Sequence, residues 1–294
     1  MTRRFTSLAW AAAICTYLLI VLGAVVRITG SGLGCGEHWP LCNSHLFPPL
    51  NDIGTVIEWS HRLVAVLVSV MVVGLAVPGL APGVRESKAP YVALGLLIVQ
   101  ILLGAITVKL ALPAWTVVLH LGTAMLLLAT LLTISTGSSP RLRPASAALL
   151  LLAFVTVLFG ALTANLGAAS ACGGLPLCNG QVWTTAGPLA VIHWTHRLLA
   201  YSLTIVAAIW AVRSRRTGPA VVLLMVGLQI SVGATMVLNG LPRVLQATHV
   251  AVGAAVWASV VLASLGATKN REAPGTKSPG PHADSREKPV SSAW

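Results

Sequence analysis

Eight long apolar stretches constrain the fold of this chain more than any other feature. A bilayer core about 30 Å thick requires roughly 20 apolar residues for one helical crossing. The predicted spans cover residues 6–28, 57–79, 90–110, 115–136, 145–166, 190–212, 218–239 and 244–267. The first is too long for the apolar core of a signal peptide, so we expect an uncleaved span. Because only 9% of the residues are charged, against about 25% in soluble domains, the sequence predicts an all-α polytopic membrane protein.

The basic residues predict how the chain is oriented. The formal net charge is +12, and Lys and Arg in short loops favour the cytoplasmic side. The outer side holds only Arg27, Lys109 and Arg243, with Arg62 and Arg197 just inside the starts of their spans. With a cytoplasmic N-terminus, the inner side holds Arg3, Arg4, Arg85, Lys88, Arg141, Arg143, Arg213, Arg215 and Arg216. Both termini are therefore predicted to be cytoplasmic, and the scattered charge argues against nucleic-acid binding.

The two halves of the sequence resemble each other. VIEWSHRLVA at 56–65 matches VIHWTHRLLA at 191–200, and PLCN occurs at both 40–43 and 176–179. Four further residues recur 129 positions later: Gln100, Gly104, Pro113 and His120 at Gln229, Gly233, Pro242 and His249. Such self-similarity indicates a repeat, and an even number of spans gives both halves the same orientation. We predict two tandem, parallel-repeat four-helix bundles at 1–140 and 141–267, followed by a Pro-, Gly- and Ser-rich disordered cytoplasmic tail at 268–294.

Four histidines are predicted at one depth in the membrane. They lie four to six residues after the predicted starts of the even-numbered spans, about 6 to 9 Å below the outer boundary at 1.5 Å per residue. The four are His61, His120, His196 and His249. One such residue alone could be a structural hydrogen-bonding group, but polar residues in membranes are costly and usually functional. Their repeated pairing favours two bis-histidine sites, and the lack of a nearby carboxylate or thiolate cluster favours haem iron.

Glu58 distinguishes the first half from the second. It is the only acid in any predicted span, one helical turn before the histidine of its motif, and the matching residue of the second half is His193. A carboxylate beside a metal site can accept a proton or stabilise charge, or it can pair with Arg62 or Arg27. Arg62 and Arg197 could in turn contact haem propionates or extend to the lipid headgroups. His193 could be a hydrogen-bond partner in its own pocket.

Two cysteine pairs lie in the outer loops. Cys35 and Cys42 share the first loop, and Cys172 and Cys178 share the matching loop of the second half. Two short-range disulfides are the expected state on an oxidising side, and the spacing differs from that of usual zinc sites. An exposed pair can also exchange with thiols, so the residues alone leave structural and redox roles open. Cys15, within the first span, is expected to be a small buried apolar residue.

Motifs, spacing and topology together resemble the bacterial haem A synthases of the cysteine-containing type. The resemblance rests on EWSHR at 58–62, HWTHR at 193–197, the paired histidines and the loop cysteines, and it covers residues 1 to about 267. It implies oxidation of the C8 methyl group of haem O to the formyl group of haem A, for an aa3-type cytochrome oxidase. It also implies a location in the bacterial plasma membrane.

The resemblance implies a division of labour between the halves. His196 and His249 would be the iron ligands of a haem b cofactor, whereas His61 and His120 would be the axial ligands of the substrate haem O. Glu58 would assist proton removal or stabilise a cationic intermediate. Two successive hydroxylations followed by dehydration would give the aldehyde.

The resemblance extends to the loop cysteines and to the partners of the chain. It implies a link to activity for Cys35 and Cys42 and a structural disulfide for Cys172 and Cys178. The expected partners are haem O and the lipid bilayer, together with a haem O synthase, an electron acceptor and a further copy of the chain. Two rivals remain: a non-catalytic dihaem electron carrier, which has no need of Glu58 beside one haem only, and a haem transporter or chaperone.

Overall fold

A computed structural model of the protein describes residues 2–49, 51–77, 88–137 and 144–269. These ranges contain eight α-helices and no β-strand: α1 Arg3–Thr29, α2 Ile53–Ala76, α3 Ala89–Lys109, α4 Ala114–Thr136, α5 Pro144–Asn165, α6 Pro188–Ser214, α7 Thr217–Leu238 and α8 Arg243–Lys269. All eight are long and apolar enough to cross a membrane. The predicted all-α, eight-span fold is confirmed. The predicted tail beyond residue 269 lies outside the described residues, as do Arg85, Arg141 and Arg143.

All four even-numbered helices begin earlier than their predicted spans, α4 and α8 by one residue and α2 and α6 by more. Helix α2 starts at Ile53 rather than at residue 57, because a side-chain oxygen of Asp52 accepts a hydrogen bond from the Thr55 backbone N–H at 2.7 Å. This bond and a second one from the Thr55 hydroxyl lower the pKa of Asp52. Helix α6 starts at Pro188 rather than at 190, and proline fits the first helical turn. Hydropathy windows miss these polar and proline starts.

The helices pack as two groups of four that share one interface. Helices α1 to α4 contact one another in sequence and α1 also contacts α4, and the same arrangement holds for α5 to α8. Helices α1, α4, α5 and α8 form the contacts between the groups. Leu128 and Leu131 of α4 and Val260 of α8 are fully buried there, and Trp257 Nε1 donates to the Met125 carbonyl at 2.8 Å. We call α1 to α4 the first group and α5 to α8 the second group.

Both outer loops are closed by disulfides. Cys35 is bonded to Cys42 and Cys172 to Cys178, with Cα–Cα distances of 4.4 and 4.7 Å. The predicted pairings are therefore confirmed. Both loops connect the C-terminal end of an odd-numbered helix to the N-terminal end of the next one, so they lie at the same end of the helices, which we call the disulfide side. Cys15 is partly rather than fully buried and packs against the apolar core.

Candidate functional site

Each of the four predicted histidines lies against a glycine of the preceding helix. A Cβ atom added at any of these glycines would lie 2.9 to 3.3 Å from the Cε1 atom of the facing ring. The pairs are Gly23 with His61, Gly104 with His120, Gly160 with His196, and Gly233 with His249. Glycine therefore makes the space that each ring occupies. The repeat marked Gly104 and Gly233 in the sequence, but Gly23 and Gly160 were missed as partners of particular histidines.

The four histidines occupy corresponding positions in their helices. His61 and His196 are the ninth residues of α2 and α6, and His120 and His249 are the seventh residues of α4 and α8. These positions are about 12 and 9 Å from the first residue of each helix at 1.5 Å per residue, farther than predicted for α2 and α6 because those helices begin earlier. Within each group the two rings are close enough to interact electrostatically.

A glutamine lies beside the second histidine of each group. The amide nitrogen of Gln100 lies 3.1 Å from Nε2 of His120, and that of Gln229 lies 3.2 Å from Nε2 of His249. In both pairs the ring Nδ1 and the amide Oε1 are buried with no hydrogen-bond partner in the part of the chain that the structure describes. Buried polar atoms in proteins are normally hydrogen-bonded. These unsatisfied atoms therefore mark both places as candidate ligand sites.

The first histidines of the two groups differ in how their rings are held. Nδ1 of His196 donates to the Thr156 carbonyl at 3.1 Å. Since a carbonyl can only accept, the proton is on Nδ1, and Nε2 keeps the lone pair with which histidine binds a metal. Nδ1 of His61 is buried with no hydrogen-bond partner among the described residues. The His196 ring is therefore oriented as a metal ligand, whereas the His61 ring lacks this support.

The histidine pairs fit a haem better than a bare metal ion. Within the described ranges, no group of three or more His, Cys, Asp or Glu residues could hold a metal ion. Haem iron needs only axial ligands from the protein, because the macrocycle supplies the other four, and imidazole is a common axial ligand. Two histidines in each group, each with its ring against a glycine, match this requirement.

Glu58 is held by two donors in the first group. Its side chain is buried, and its Oε2 accepts a hydrogen bond from the Cys35 backbone N–H at 2.7 Å. Its Oε1 pairs with the guanidinium of Arg62, which also donates to the carbonyl of Leu41 at 2.8 Å. Of the two arginines that the sequence offered as partners, Arg62 rather than Arg27 forms the ion pair. The carboxylate is thereby tied to the disulfide loop above it.

His193 takes the corresponding place in the second group. Its Nδ1 donates to the Ala168 carbonyl at 3.1 Å, and its Nε2 accepts from Nε of Arg197 at 3.3 Å. Arg197 also donates to the carbonyls of Leu177 at 2.9 Å and Cys172 at 2.7 Å. Arg197 thus binds its disulfide loop as the arginine of the first group does, but it meets a neutral ring instead of a carboxylate.

Arg62 and Arg197 both use their N–H donors in hydrogen bonds within the protein. Arg62 binds carbonyl groups of the first loop, including those of His38 and Leu41, and Arg197 binds those of the second loop. A propionate bound by either arginine would compete with these bonds. The propionate contacts of Arg62 and Arg197 stay a prediction, and the structure adds that both residues fasten the disulfide loops to the helices.

The fold and the site define a multi-pass helical membrane protein with a histidine pair in each of two helix groups. A family model described as cytochrome oxidase assembly protein matches residues 6–261, so the chain belongs to this family. It is 33% identical over 216 residues to the heme A synthase of Halalkalibacterium halodurans, covering 67% of this chain and 72% of the relative. It is 34% identical over 275 residues to that of Geobacillus kaustophilus, covering 83% and 86%. The heme A synthase of Alkalihalophilus pseudofirmus is 34% identical over 221 residues, covering 68% and 74%.

Proposed function

We propose that this chain is a haem A synthase, an oxidoreductase that converts haem O to haem A for cytochrome oxidase. The names of its relatives and the match of the family model to most of the chain support this assignment. In this proposal, haem O binds in the first group between His61 and His120. In two hydroxylations its C8 methyl group takes up the oxygen atoms of two water molecules and gives up four electrons and four protons, the electrons passing to an acceptor, and loss of one water then gives the formyl group.

The observation that carries the proposal is the buried carboxylate of Glu58, one turn before His61. Both of its partners, the Cys35 N–H and Arg62, are donors, so both carboxylate oxygens act as hydrogen-bond acceptors. A fixed negative charge in a low-dielectric site stabilises positive charge that develops on a nearby carbon, and it can take up a released proton. We assign this role to Glu58 at the oxidised methyl carbon.

The cofactor in this proposal is a haem b held by His196 and His249 in the second group. A haem b at this place supplies one-electron redox chemistry. The hydrogen bond from His196 to the Thr156 carbonyl supports this choice for one of the two ligands, because a histidine that binds a metal usually donates its second ring N–H to such a partner. The unsupported ring of His61 suits a substrate that must enter and leave.

The two disulfides have different roles in this proposal. Cys35 forms the first disulfide with Cys42, and its backbone N–H donates to Glu58. Opening this disulfide would therefore disturb the position of the Glu58 carboxylate. This contact supports a redox role for the first pair. The disulfide between Cys172 and Cys178 has a structural role. We place the protein in the bacterial cell membrane with both termini in the cytoplasm, on the strength of the basic residues in its predicted inner loops.

The glutamine–histidine pair that occurs in both groups also fits the rival function, a non-catalytic dihaem electron carrier. Expression of the full chain together with a haem O source separates the two. Extracted haems are identified by chromatography and mass spectrometry, and we expect haem A. A folded, haem-loaded protein that yields only haem O and haem b would contradict the synthase assignment and leave the electron carrier, or a haem chaperone if haem b is weakly held.

A further inference from the structure

Arg27 is a partly buried cation whose contacts lie in the other helix group. It belongs to the last turn of α1, yet its Nη1 lies 3.4 Å from the Ala164 carbonyl of α5 and its Nη2 lies 3.4 Å from Oε1 of Gln246 of α8. Both distances exceed the usual 2.7 to 3.2 Å of N–H···O hydrogen bonds. The one ion pair among the described residues is that of Glu58 with Arg62. The guanidinium therefore has no carboxylate partner there.

The contacts of Arg27 place its guanidinium beside the histidine pair of the second group. Ala164 follows Gly160, the glycine that faces His196, by one helical turn, and Gln246 precedes His249 by one turn. Both residues are displaced towards the disulfide side. The guanidinium accordingly lies about one turn from the level of the two histidines, towards the disulfide side, where it contacts both α5 and α8.

The histidine pair of the first group has no counterpart of Arg27. Gly160 follows Gly23 by 137 residues, and the same shift relates Arg27 to Ala164. Gln246 follows Val117 by 129 residues, the shift that relates His249 to its counterpart in α4. At the first histidine pair, the residues that correspond to Arg27 and Gln246 are thus Ala164 of α5 and Val117 of α4. The contact between an arginine and an amide across the two groups therefore occurs at the second histidine pair and has no polar counterpart at the first.

We propose that Arg27, assisted by Gln246, binds a carboxylate of the haem that His196 and His249 hold. This inference rests on the proposed function and deepens it. A haem carries two propionates, and the planar guanidinium pairs with a carboxylate through two parallel hydrogen bonds. A partly buried arginine with two long hydrogen bonds has the free donors for such a pair. Helix α1 of the first group thereby completes the cofactor site of the second group.

Haem release from the full-length protein in lipid nanodiscs tests this assignment. The Arg27→Gln variant, loaded with haem b, should transfer it to apomyoglobin about tenfold faster than the unaltered chain, because one charge-assisted contact is lost. Its midpoint potential should fall, because loss of a positive charge favours ferric haem. Arg243→Gln is the matched control: it removes an exposed arginine from the first turn of α8, and both values should stay unchanged.

The dimethyl ester of haem b provides a test that leaves the protein unaltered. The ester lacks carboxylates, so the unaltered chain should release it about tenfold faster than haem b, and Arg27→Gln should add no further increase. Equal release of haem b by the Arg27→Gln and unaltered chains would overturn the proposal. So would an effect of Arg27→Gln on haem O binding alone. If the Arg27 effect is found but no haem A forms, the synthase assignment fails while the carboxylate site stands.

Discussion

The two helix groups present the same histidine scaffold with different polar surroundings. In both, a glycine faces each histidine and a glutamine lies beside the second one. The first group adds the ionised pair of Glu58 and Arg62, whereas the second group has the neutral ring of His193 and a carbonyl that orients His196. The comparison shows one repeated arrangement of glycine, histidine and glutamine with two different sets of polar contacts; in the proposed function, the former would bind the macrocycle and the latter would decide whether it is oxidised or retained.

The largest expected effect comes from removing the charge that only the first group has. Glu58→Gln should lower haem A formation at least about 100-fold, the usual contribution of a positioned acid or base, while haem b stays bound. Haem extraction followed by mass spectrometry gives both values. Glu37→Gln changes an exposed acid of the first disulfide loop. It is the control and should form haem A normally. Loss of haem b in Glu58→Gln would show that Glu58 has a structural role and would weaken the contrast between the two helix groups.

Breaking one disulfide at a time separates the roles of the two loops. Each replacement should reduce stability by about 2 to 4 kcal/mol. Cys42→Ala should in addition reduce haem A formation more than haem b content, because Glu58 loses its fixed loop. Cys178→Ala should reduce mainly the haem b content. Thermal unfolding and haem analysis of both variants give the comparison, and an identical ratio of haem A to haem b in the two would contradict it.

A methyl group added opposite the histidines should affect the second group more than the first. In Gly160→Ala the new Cβ would lie 2.9 Å from Cε1 of His196, whose ring is held by a hydrogen bond, and overpacking of this kind costs about 1 to 3 kcal/mol. Gly23→Ala should cost less, since its Cβ would lie 3.2 Å from the unsupported ring of His61. Thermal unfolding measures both.

Gly227→Ala is the control for these substitutions. An added Cβ there would meet no atom within 4 Å, and alanine is the better helix former by up to about 1 kcal/mol. The variant should therefore be as stable as the unaltered chain or more so. A loss in Gly227→Ala equal to that in Gly160→Ala would show that the histidine contact is not the cause.

The smallest expected effect concerns the N-terminal ends of α2 and α6. Asp52 caps α2, whereas α6 follows Gly187 and has no side-chain cap. The hydrogen bonds of Thr55 lower the pKa of Asp52 in the folded state, so the cap stabilises the protein above the unfolded pKa, and this stabilisation is lost as the pH falls through the folded value. Asp52→Ala should therefore unfold more easily at pH 7 but not at about pH 2. A difference that persists in acid would contradict this origin.

Much of the fold and the core of the candidate site could be predicted from the sequence. Apolar length predicts the eight helices because a bilayer demands it, and the repeat brings His61, His120 and their counterparts into pairs. Hydropathy could not find the first turn of α2, since a polar residue, Asp52, begins it. The sequence could not decide which arginine binds Glu58, because that choice depends on side-chain direction rather than on spacing.

The contact between Arg27 and Gln246 was beyond sequence reasoning for a different reason. The two residues are far apart in the chain, belong to different groups and have no polar counterparts in the repeat, so no internal comparison points to them. Only the packing of α1 against α8 brings them together.

The packing of α8 has a consequence for the order in which the protein is made. Helix α8 follows the other seven described helices in the chain. It contains His249 and Gln246, and also Trp257, whose side chain donates to the Met125 carbonyl of α4. During synthesis, the ribosome therefore releases seven helices before α8, which forms a large part of the interface between the groups. Insertion of this helix completes both the interface and the second histidine pair, so in the proposed function a haem b would be held there only after the last of the eight helices is in place.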